Sequence, residues 1–418
     1  MTMPIISWAL YDFANTIFSS NINTIFFPFY LQEVIGENEV LNQIASTFIS
    51  YSNALASFFL VLFSPLFGVL IDRTGKKKKY IVIFTLVSVI ATLFMGIFAT
   101  SEISGNIMGL PLSLALVILC FIIAKFFYHS CLVFYDAMIS DLGSKKEIPL
   151  ISGFGVAVGY LGTLLGLTVY IFVGDNGFHE AFIPSALLFL LFSLPLFFFV
   201  KDKPFEVEQK KESFISGYKE IYQTFKEMKL YKSVFTFMIA YFFLNDAIAT
   251  TIAMMAVYAK TIVGFSTGEF ILLYLVSTVS SIIGSFIFGY VTKARGANKA
   301  VKYVGILLIV ALIIATLAAN EIMFWIAGSM FGIALGSMWV TTRAYIVELT
   351  PDHKRGQFFG LFAFSGKVSS ILGPLLYGSI TLIFADYGNL ASRLALGSLL
   401  ILTIIGLIIH ARIKENED

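Results

Sequence analysis

The chain has 418 residues, of which 58% are hydrophobic and 13% are charged, and its formal net charge is +2. Soluble globular chains average about 45 to 50% apolar and about 25% charged residues, so this composition excludes an ordinary soluble protein. The small net charge gives no reason to expect nucleic acid as a partner. We therefore expect an all-α integral membrane protein with room for about a dozen spans of roughly 20 residues each.

Apolar runs separated by charged turns or by turns with Gly and Pro predict six transmembrane helices on either side of a polar linker. In the first half the predicted spans are 5–31, 44–71, 80–100, 110–140, 150–173 and 181–200. In the second half they are 233–258, 268–291, 301–318, 321–347, 357–384 and 391–410. We accordingly divide the chain into an N-terminal bundle (1–200), a linker (201–232) and a C-terminal bundle (233–418).

Lys and Arg are concentrated in the connections on one side of these spans, in the linker and near the C-terminus. By the positive-inside rule, both termini and the linker should be cytoplasmic. Apolar residues recur in the linker every three or four positions among lysines, at Phe214, Tyr218, Ile221, Phe225 and Met228. This spacing predicts an amphipathic helix, which either lies at an anionic membrane surface or is solvated.

An internal repeat relates Tyr135 to Gly166 with Thr342 to Gly373. Without a gap, the register matches Ala137 with Ala344, Ile139 with Ile346, Asp141 with Glu348, Gly153 with Gly360, Gly159 with Gly366, and Gly166 with Gly373. In the first and seventh spans, Tyr11 and Asn15 correspond to Tyr241 and Asn245. The repeat predicts two pseudo-symmetric halves that contribute helices to a shared site.

The segment GVLIDRTGKKKK, from Gly68 to Lys79, resembles the G-x-x-x-D-R-x-G-R-R signature of the major facilitator superfamily. WALYDFANTIF from Trp8, YDAMISDLG from Tyr135, ISGFGVAVGYLG from Ile151 and FFGLFAFSGKVSSILGPLLYG from Phe358 resemble the vacuolar effluxer branch, whose yeast members are autophagy-related permeases. The resemblance covers nearly the whole chain. It implies a major facilitator fold of twelve transmembrane helices in two pseudo-symmetric six-helix bundles, and a secondary transporter.

The resemblance also implies a cytoplasmic gate in the loop after the second span, formed by Gly68, Asp72, Arg73 and Gly75. In the superfamily the matching Asp lies at the start of the eleventh helix, where a carboxylate favours the positive end of the helix dipole. The alternative is that this loop only determines topology. The family membership further implies a prokaryotic cell membrane, or a vacuolar membrane in a eukaryote.

Six charged residues lie inside the predicted spans, namely Asp12, Lys125, Asp136, Asp246, Arg343 and Lys367. At roughly 2.5 to 3.5 kcal/mol each, they would cost about 15 to 21 kcal/mol if they faced lipid. They must therefore be paired with one another as structural ion pairs or line a wet cavity. In major facilitators the first, fourth, seventh and tenth helices surround the central cavity, and five of the six lie on those helices.

We predict that the substrate site is formed by polar and aromatic residues of these four helices together with Lys367 of the eleventh. The residues are Trp8, Asp12, Asn15, Lys125, His129, Asn245, Asp246, Trp339, Arg343 and Lys367. Asp12 and Asp136 are the candidates for carrying a coupling proton. In the fifth span Gly155, Gly159, Gly162 and Gly166 form two G-x-x-x-G repeats, and the eighth span has Ser277, Ser281, Ser285 and Gly289. Such small-residue faces suit either a sliding contact between the halves or static packing.

The sequence contains neither a Walker nucleotide loop nor an H-E-x-x-H metal pair, so we expect no cofactor and no enzymatic activity. We predict a secondary active transporter that moves an amino acid or similar zwitterion by alternating access and couples this movement to a proton. Its partners should be this small molecule, the proton and membrane lipids, and we expect a monomer. The alternatives are a lipid or amphiphile exporter of the same fold and a membrane sensor without transport.

Overall fold

The structure, a computed structural model, describes residues 2–35, 39–101, 103–107, 110–173, 177–202, 214–227 and 229–413. Ten helices of this described part are long and apolar enough to cross a membrane. Two more helical stretches, Met3–Ile35 and Glu39–Thr74, lie where the first two spans were predicted. The predicted all-α membrane architecture is confirmed.

The first six predicted spans correspond to α1 (Met3–Phe18) with α2 (Phe27–Ile35), α3 (Glu39–Thr74), α4 (Lys77–Thr100), α5 (Leu112–Leu142), α6 (Ile148–Leu167) with α7 (Val169–Val173), and α8 (Phe182–Phe199). A short antiparallel pair, β1 (Asn106–Ile107) and β2 (Leu110–Pro111), precedes α5. Between α1 and α2 the chain continues as a π-helix, Ser19–Phe26, so the first span is one helix with a wider stretch in its middle. Stretches of π-helix inside helices are frequent at functional sites.

The linker contains the helix α9 (Gly217–Lys226), and its residues 203–213 and Met228 lie outside the described residues. The remaining spans are α10 (Lys232–Tyr258), α11 (Thr267–Arg295), α12 (Ala297–Leu317), α13 (Glu321–Leu349), α14 (Arg355–Ile383) and α15 (Asn389–Ala411). Short 3-10 or π turns occur at Phe178–Ala181, Phe214–Ser216, Ala259–Val263, Asp352–Lys354 and Ala385–Tyr387.

The chain forms two compact units. The first comprises Met1–Leu142 and Val158–Lys210, and the second comprises Gly143–Ala157 and Lys211–Asp418. The linker helix α9 therefore belongs to the second unit. So does the beginning of α6, although the rest of that helix belongs to the first unit.

Small residues hold helices together inside each unit. In the first unit, a Cβ added at Gly162 would lie 2.2 Å from the Phe13 carbonyl oxygen, so α6 touches the backbone of α1. In the second unit the hydroxyls of Ser277 and Ser281 donate to the carbonyls of Gly328 and Gly332, which joins α11 to α13. The small residues of α6 and α11 named here therefore pack against helices of their own unit.

Gly153 packs differently from the later glycines of α6. A Cβ at this position would lie 2.7 Å from the Ser285 carbonyl oxygen and 3.0 Å from the Gly289 Cα, both on α11. The start of α6 therefore packs on α11, whereas its later turns pack on α1. Only a residue without a side chain permits this approach of two helix backbones.

Gly332 should be far less tolerant of a methyl group than Gly328, one turn earlier on the same face of α13. The added Cβ at Gly332 would lie 2.2 Å from the rigid Ser277 carbonyl oxygen, whereas at Gly328 it would meet the end of the Leu273 side chain at 2.6 Å. We expect Gly332→Ala to lower the free energy of unfolding by about 2 kcal/mol and Gly328→Ala by less than about 1 kcal/mol. Denaturant titration of both purified variants measures the difference, and equal losses would contradict it.

Candidate functional site

The two halves of the internal repeat use the same helix pairing. In the first unit α6 packs on α1, where the Thr16 hydroxyl donates to the Gly159 carbonyl. In the second unit α14 packs on α10, where the Asn245 amide donates to the Gly366 carbonyl at 2.9 Å. Gly159 and Gly366 are the repeat partners predicted from the sequence, so the repeat register is confirmed by the structure.

In the second unit, Asn245 and Asp246 of α10 form hydrogen bonds with α14. Besides Gly366, the Asn245 amide donates to the Ser369 hydroxyl at 2.8 Å, and its oxygen accepts from the Tyr241 hydroxyl at 3.2 Å. Asn245 was predicted to bind substrate. In the structure its amide joins two helices of one unit.

Asp246 is similarly engaged. Its side chain is 1% exposed, and its carboxylate accepts a hydrogen bond from the backbone N–H of Gly373 at 2.8 Å. Pro374, the next residue, has no N–H, and its ring displaces the carbonyl one turn earlier, so backbone groups of a helix are freed around a proline. The carboxylate thus binds the α14 backbone just before Pro374, and a Cβ at Gly373 would lie 2.5 Å from that carboxylate and 1.8 Å from the Thr250 hydroxyl.

In the first unit, the equivalent residues Tyr11 and Asn15 form different contacts. Tyr11, the partner of Tyr241 in the repeat, directs its hydroxyl to Thr85 and to the Cys131 sulfur, 2.9 Å away, instead of to Asn15. Asn15 is 2% exposed, and neither its amide nitrogen nor its amide oxygen has a hydrogen-bond partner among the described residues. Nearly all buried polar groups in proteins are hydrogen-bonded, so a buried amide without a partner among the described residues is unusual.

Other polar groups surround Asn15 in the same unit. The Tyr128 hydroxyl donates to the Asn15 backbone carbonyl at 3.2 Å and lies within electrostatic range of the Asp12 and Asp136 carboxylates. Asp12 is half-buried, and a Cβ added at Gly159 would lie 3.2 Å from its carboxylate carbon. We call Asp12, Asn15, Tyr128 and Asp136 the α1–α5 polar cluster.

Trp8 is fully buried rather than open to a solute. Its ring stacks on Tyr135 with centroids 4.7 Å apart, and its indole N–H donates to the Tyr135 carbonyl at 3.2 Å. The Tyr135 hydroxyl returns a bond to the Trp8 carbonyl at 3.2 Å. Trp8 therefore holds α1 against α5.

The remaining predicted residues of α5 are half-buried. The Lys125 ammonium lies 5.6 Å from the centroid of the Phe121 ring, and the ring of His129 lies against Tyr128 at 4.9 Å. Both belong to the first unit together with the α1–α5 polar cluster.

In the second unit, α13 carries Trp339, which is exposed, and Arg343, which is buried. Lys367, on α14, is half-buried, and its ammonium forms no hydrogen bond or ion pair with any residue that the structure describes. An ammonium inside a membrane span requires an anion or water.

The predicted gate loop is held by carboxylates of the first unit. Gly75 adopts a left-handed φ of 63°, which ends α3 after Asp72 and Arg73. The Lys77 ammonium pairs with Asp141 at 2.5 Å, and the Lys78 backbone N–H donates to Asp202 at 2.7 Å. Gly68 is buried, and Asp72 and Arg73 are half-buried in the last turns of α3.

Sequence reasoning missed Tyr128 and the pairing of Tyr11 with α4 and α5. Tyr128 precedes His129 and follows Lys125 by three residues, so it borders the polar face of α5, but a tyrosine among so many aromatic residues gives no distinctive pattern. Tyr11 was recognised only as a repeat partner. The direction of its hydroxyl depends on Thr85 and Cys131, which belong to other helices.

Comparisons with known proteins agree with this architecture. The MFS-type transporter YxiO of Bacillus subtilis (strain 168) is 27% identical over 423 residues, which cover 98% of this chain and 94% of the relative. Autophagy-related protein 22 of Kluyveromyces lactis is 25% identical over 369 residues, 80% of this chain and 74% of the relative. The solved structure of the major facilitator superfamily proton:xylose symporter XylE superposes with a TM-score of 0.72, at 15% identity, over 99% of this chain and 95% of that one.

The superposition confirms the major facilitator fold over the whole chain. The model of the family described as "Vacuole effluxer Atg22 like" matches residues 40–417. This range contains most of both units, including the gate loop and the repeat. The chain therefore belongs to the Atg22-like vacuole effluxer family of major facilitator transporters.

Proposed function

We propose that the protein is a secondary active transporter that moves an amino acid or a similar zwitterion by alternating access and couples this movement to a proton. The observation that carries the proposal is Asn15, a buried amide whose nitrogen and oxygen have no partner among the described residues. A buried amide without hydrogen bonds costs about 1 to 3 kcal/mol. That cost is recovered when a polar solute or water supplies both a donor and an acceptor.

The charges in the spans of each unit fit the two ends of a zwitterion. In the first unit, Asp12 supplies a negative charge of the kind that an amino group requires. In the second unit, Arg343 and Lys367 carry positive charges of the kind that a carboxylate requires. An amide that offers one donor and one acceptor orients a small polar molecule without demanding a net charge. Lys125, His129 and Trp339 remain candidates for the same role.

Asn245, Asp246 and Trp8 have a different role in this proposal. Their polar atoms are engaged with Gly366, Gly373 and Tyr135, so they hold helices in place. A residue that must keep such contacts to maintain its unit is poorly suited to bind and release a solute in every cycle.

Proton coupling rests on Asp12 and Asp136, the two acids of the α1–α5 polar cluster. A coupling group must bind a proton on one side of the membrane and release it on the other, and a carboxylate within a span can do so. XylE, whose solved structure has the same fold, is a proton:xylose symporter, so this fold accommodates proton coupling. The family description favours efflux, with the Lys-rich loops, the linker and both termini in the cytoplasm.

A thermal-shift screen of the purified protein tests the substrate class. A ligand present at about 100 times its dissociation constant stabilises the folded state by about 2.7 kcal/mol. We expect amino acids or related zwitterions to raise the melting temperature, and sugars, nucleosides and lipids to leave it unchanged. A shift with lipids alone would support the amphiphile exporter and overturn the proposal.

Asp12→Asn should abolish accumulation of the stabilising solute driven by a pH gradient in proteoliposomes. The amide cannot take up a proton, whereas exchange of labelled for unlabelled solute needs no net proton movement and should continue. Asp202→Asn serves as the control, since Asp202 caps α4 at Lys78 outside the cluster. Retained pH-driven accumulation by Asp12→Asn would remove Asp12 from the coupling role and leave Asp136 to be tested.

A further inference from the structure

The linker helix α9 is anchored to the second unit along one side. The Thr224 hydroxyl donates to the Gln357 side chain at 2.7 Å, and the Gln357 amide donates to Glu220 at 3.3 Å. One turn beyond, the Lys354 ammonium pairs with Glu227 at 2.6 Å and lowers the pKa of that carboxyl below its usual value. These bonds attach α9 to the beginning of α14.

A second side of the linker helix is apolar and exposed. Tyr218, Tyr222 and Phe225 recur on one face of α9 at intervals of four and three residues, and Ile215 lies three residues earlier, in the 3-10 turn before the helix. We call these four residues the apolar stripe. Ile215 is 71% exposed and Tyr222 is 62% exposed, although Ile221 and Thr224, on the anchored side, are buried.

Cations border the stripe. Lys219, Lys226 and Lys229 are all exposed, and the Lys226 ammonium lies 4.8 Å from the centroid of the Tyr222 ring. Exposed tyrosines flanked by lysines match the interface of a membrane, where the ring enters the headgroup region and the ammonium reaches the phosphates.

The stripe also lies next to a membrane span. The Phe225 ring contacts Phe235 of α10 with centroids 5.3 Å apart, and α10 crosses the membrane from Lys232. Only residues 227–231 separate α9 from that span. An extended chain advances at most about 3.6 Å per residue. The helix is therefore held within a short distance of the bilayer surface.

We propose that the apolar stripe of α9 lies on an anionic membrane surface, with the three lysines bound to lipid phosphates. The helix then occupies the layer between the lipid headgroups and the start of α14. Both the apolar contact and the charge favour this position, and each lysine near an anionic surface strengthens the binding about fivefold.

Site-directed spin labelling of the full-length protein in vesicles tests this position. The labelled variants are Tyr222→Cys and, as a matched control one residue away on the polar side, Gln223→Cys, which is also exposed. Cys120 is replaced by Ser, whereas Cys131 is buried and is retained. Collision with oxygen reports lipid, and collision with a water-soluble nickel chelate reports solvent.

In vesicles of phosphatidylglycerol and phosphatidylcholine we expect oxygen collisions to exceed nickel collisions at 222, and the reverse at 223. In phosphatidylcholine alone, the label at 222 should shift towards solvent. Replacing Lys219, Lys226 and Lys229 by Gln should remove the difference between the two kinds of vesicle. Because all these side chains are exposed, the melting temperature should remain unchanged.

Equal accessibility of both labels to nickel in both kinds of vesicle would show that the stripe is solvated, and would overturn the proposal. A label at 222 that is immobilised and shielded from both reagents would show a protein partner instead, and would equally overturn it. Neither measurement requires a transported solute, so it is independent of the transport proposal.

Discussion

Gly373→Ala should be among the most damaging single-methyl substitutions in the second unit. The new Cβ would lie 1.8 Å from the Thr250 hydroxyl and 2.5 Å from the Asp246 carboxylate oxygen, which binds the Gly373 N–H. Overpacking of this kind typically costs 1 to 3 kcal/mol, and weakening a hydrogen bond to a buried carboxylate adds to the loss. We expect the free energy of unfolding to fall by about 3 kcal/mol in a denaturant titration.

Gly378→Ala is the matched control on the same helix. A Cβ at Gly378 would have no neighbouring atom within 4 Å, so this variant should be neutral or slightly stabilising. Thr250→Ala, combined with Gly373→Ala, removes the nearest obstruction and should restore part of the loss. If Gly373→Ala and Gly378→Ala were equally stable, the close contact between α10 and α14 before Pro374 would be disproved.

Asn15→Leu should reduce transport without lowering the free energy of unfolding. Leu has nearly the shape of Asn and removes an amide that has no hydrogen bond among the described residues, so the free energy of unfolding should stay the same or rise by about 1 kcal/mol. If the amide binds the solute, we expect transport in proteoliposomes to fall at least about tenfold, which corresponds to 1.4 kcal/mol of lost binding.

Asn245→Leu, at the equivalent position of the repeat, should show the opposite pattern in stability. It removes the bonds to Gly366, Ser369 and Tyr241, so the free energy of unfolding should fall by about 1 to 3 kcal/mol. A destabilised Asn15→Leu variant with normal transport would show that Asn15 is structural, and would remove the observation on which the transport site rests.

The contrast between the two asparagines indicates how one ancestral arrangement serves two purposes. In the second unit, Tyr241 and Asn245 are bonded to each other and to α14. In the first, Tyr11 bonds to Thr85 and Cys131, and the side-chain amide of Asn15 has no hydrogen-bond partner among the described residues. The same pair of helices therefore packs together in both units although the side-chain amide at this position is hydrogen-bonded in only one of them.

Much of the fold was predictable from the sequence because its signals are local. The length of each apolar run predicts a span, since an isolated helix satisfies its own backbone in lipid. The glycines Gly159 and Gly366 also identified the repeat, and the structure places both at the same helix contact. The loop from Gly68 to Lys79 pointed to the superfamily to which the chain belongs.

The prediction of the site was less complete because polarity inside a span has two possible causes. Asp12, Asn15, Asn245 and Asp246 are alike in sequence, each being a polar residue in an apolar helix. The structure separates Asn245 and Asp246, which bind the backbone of α14, from Asn15. Similarly, the sequence left open whether the serines of α11 form a sliding or a static contact, and the structure shows that the hydroxyls of Ser277 and Ser281 donate to α13.

By itself the sequence determined that this protein is a helical membrane transporter built from two related halves, because hydropathy and internal repetition are properties of the chain. Only the tertiary structure decided which buried polar groups already have partners, because a hydrogen bond between two spans depends on where both helices lie. Asn15 and Asn245 occupy equivalent positions in the chain. They differ in that the Asn245 side chain is bonded to Tyr241 on its own helix and to α14, whereas the Tyr11 hydroxyl lies against Cys131 and the Asn15 side chain has no partner among the described residues.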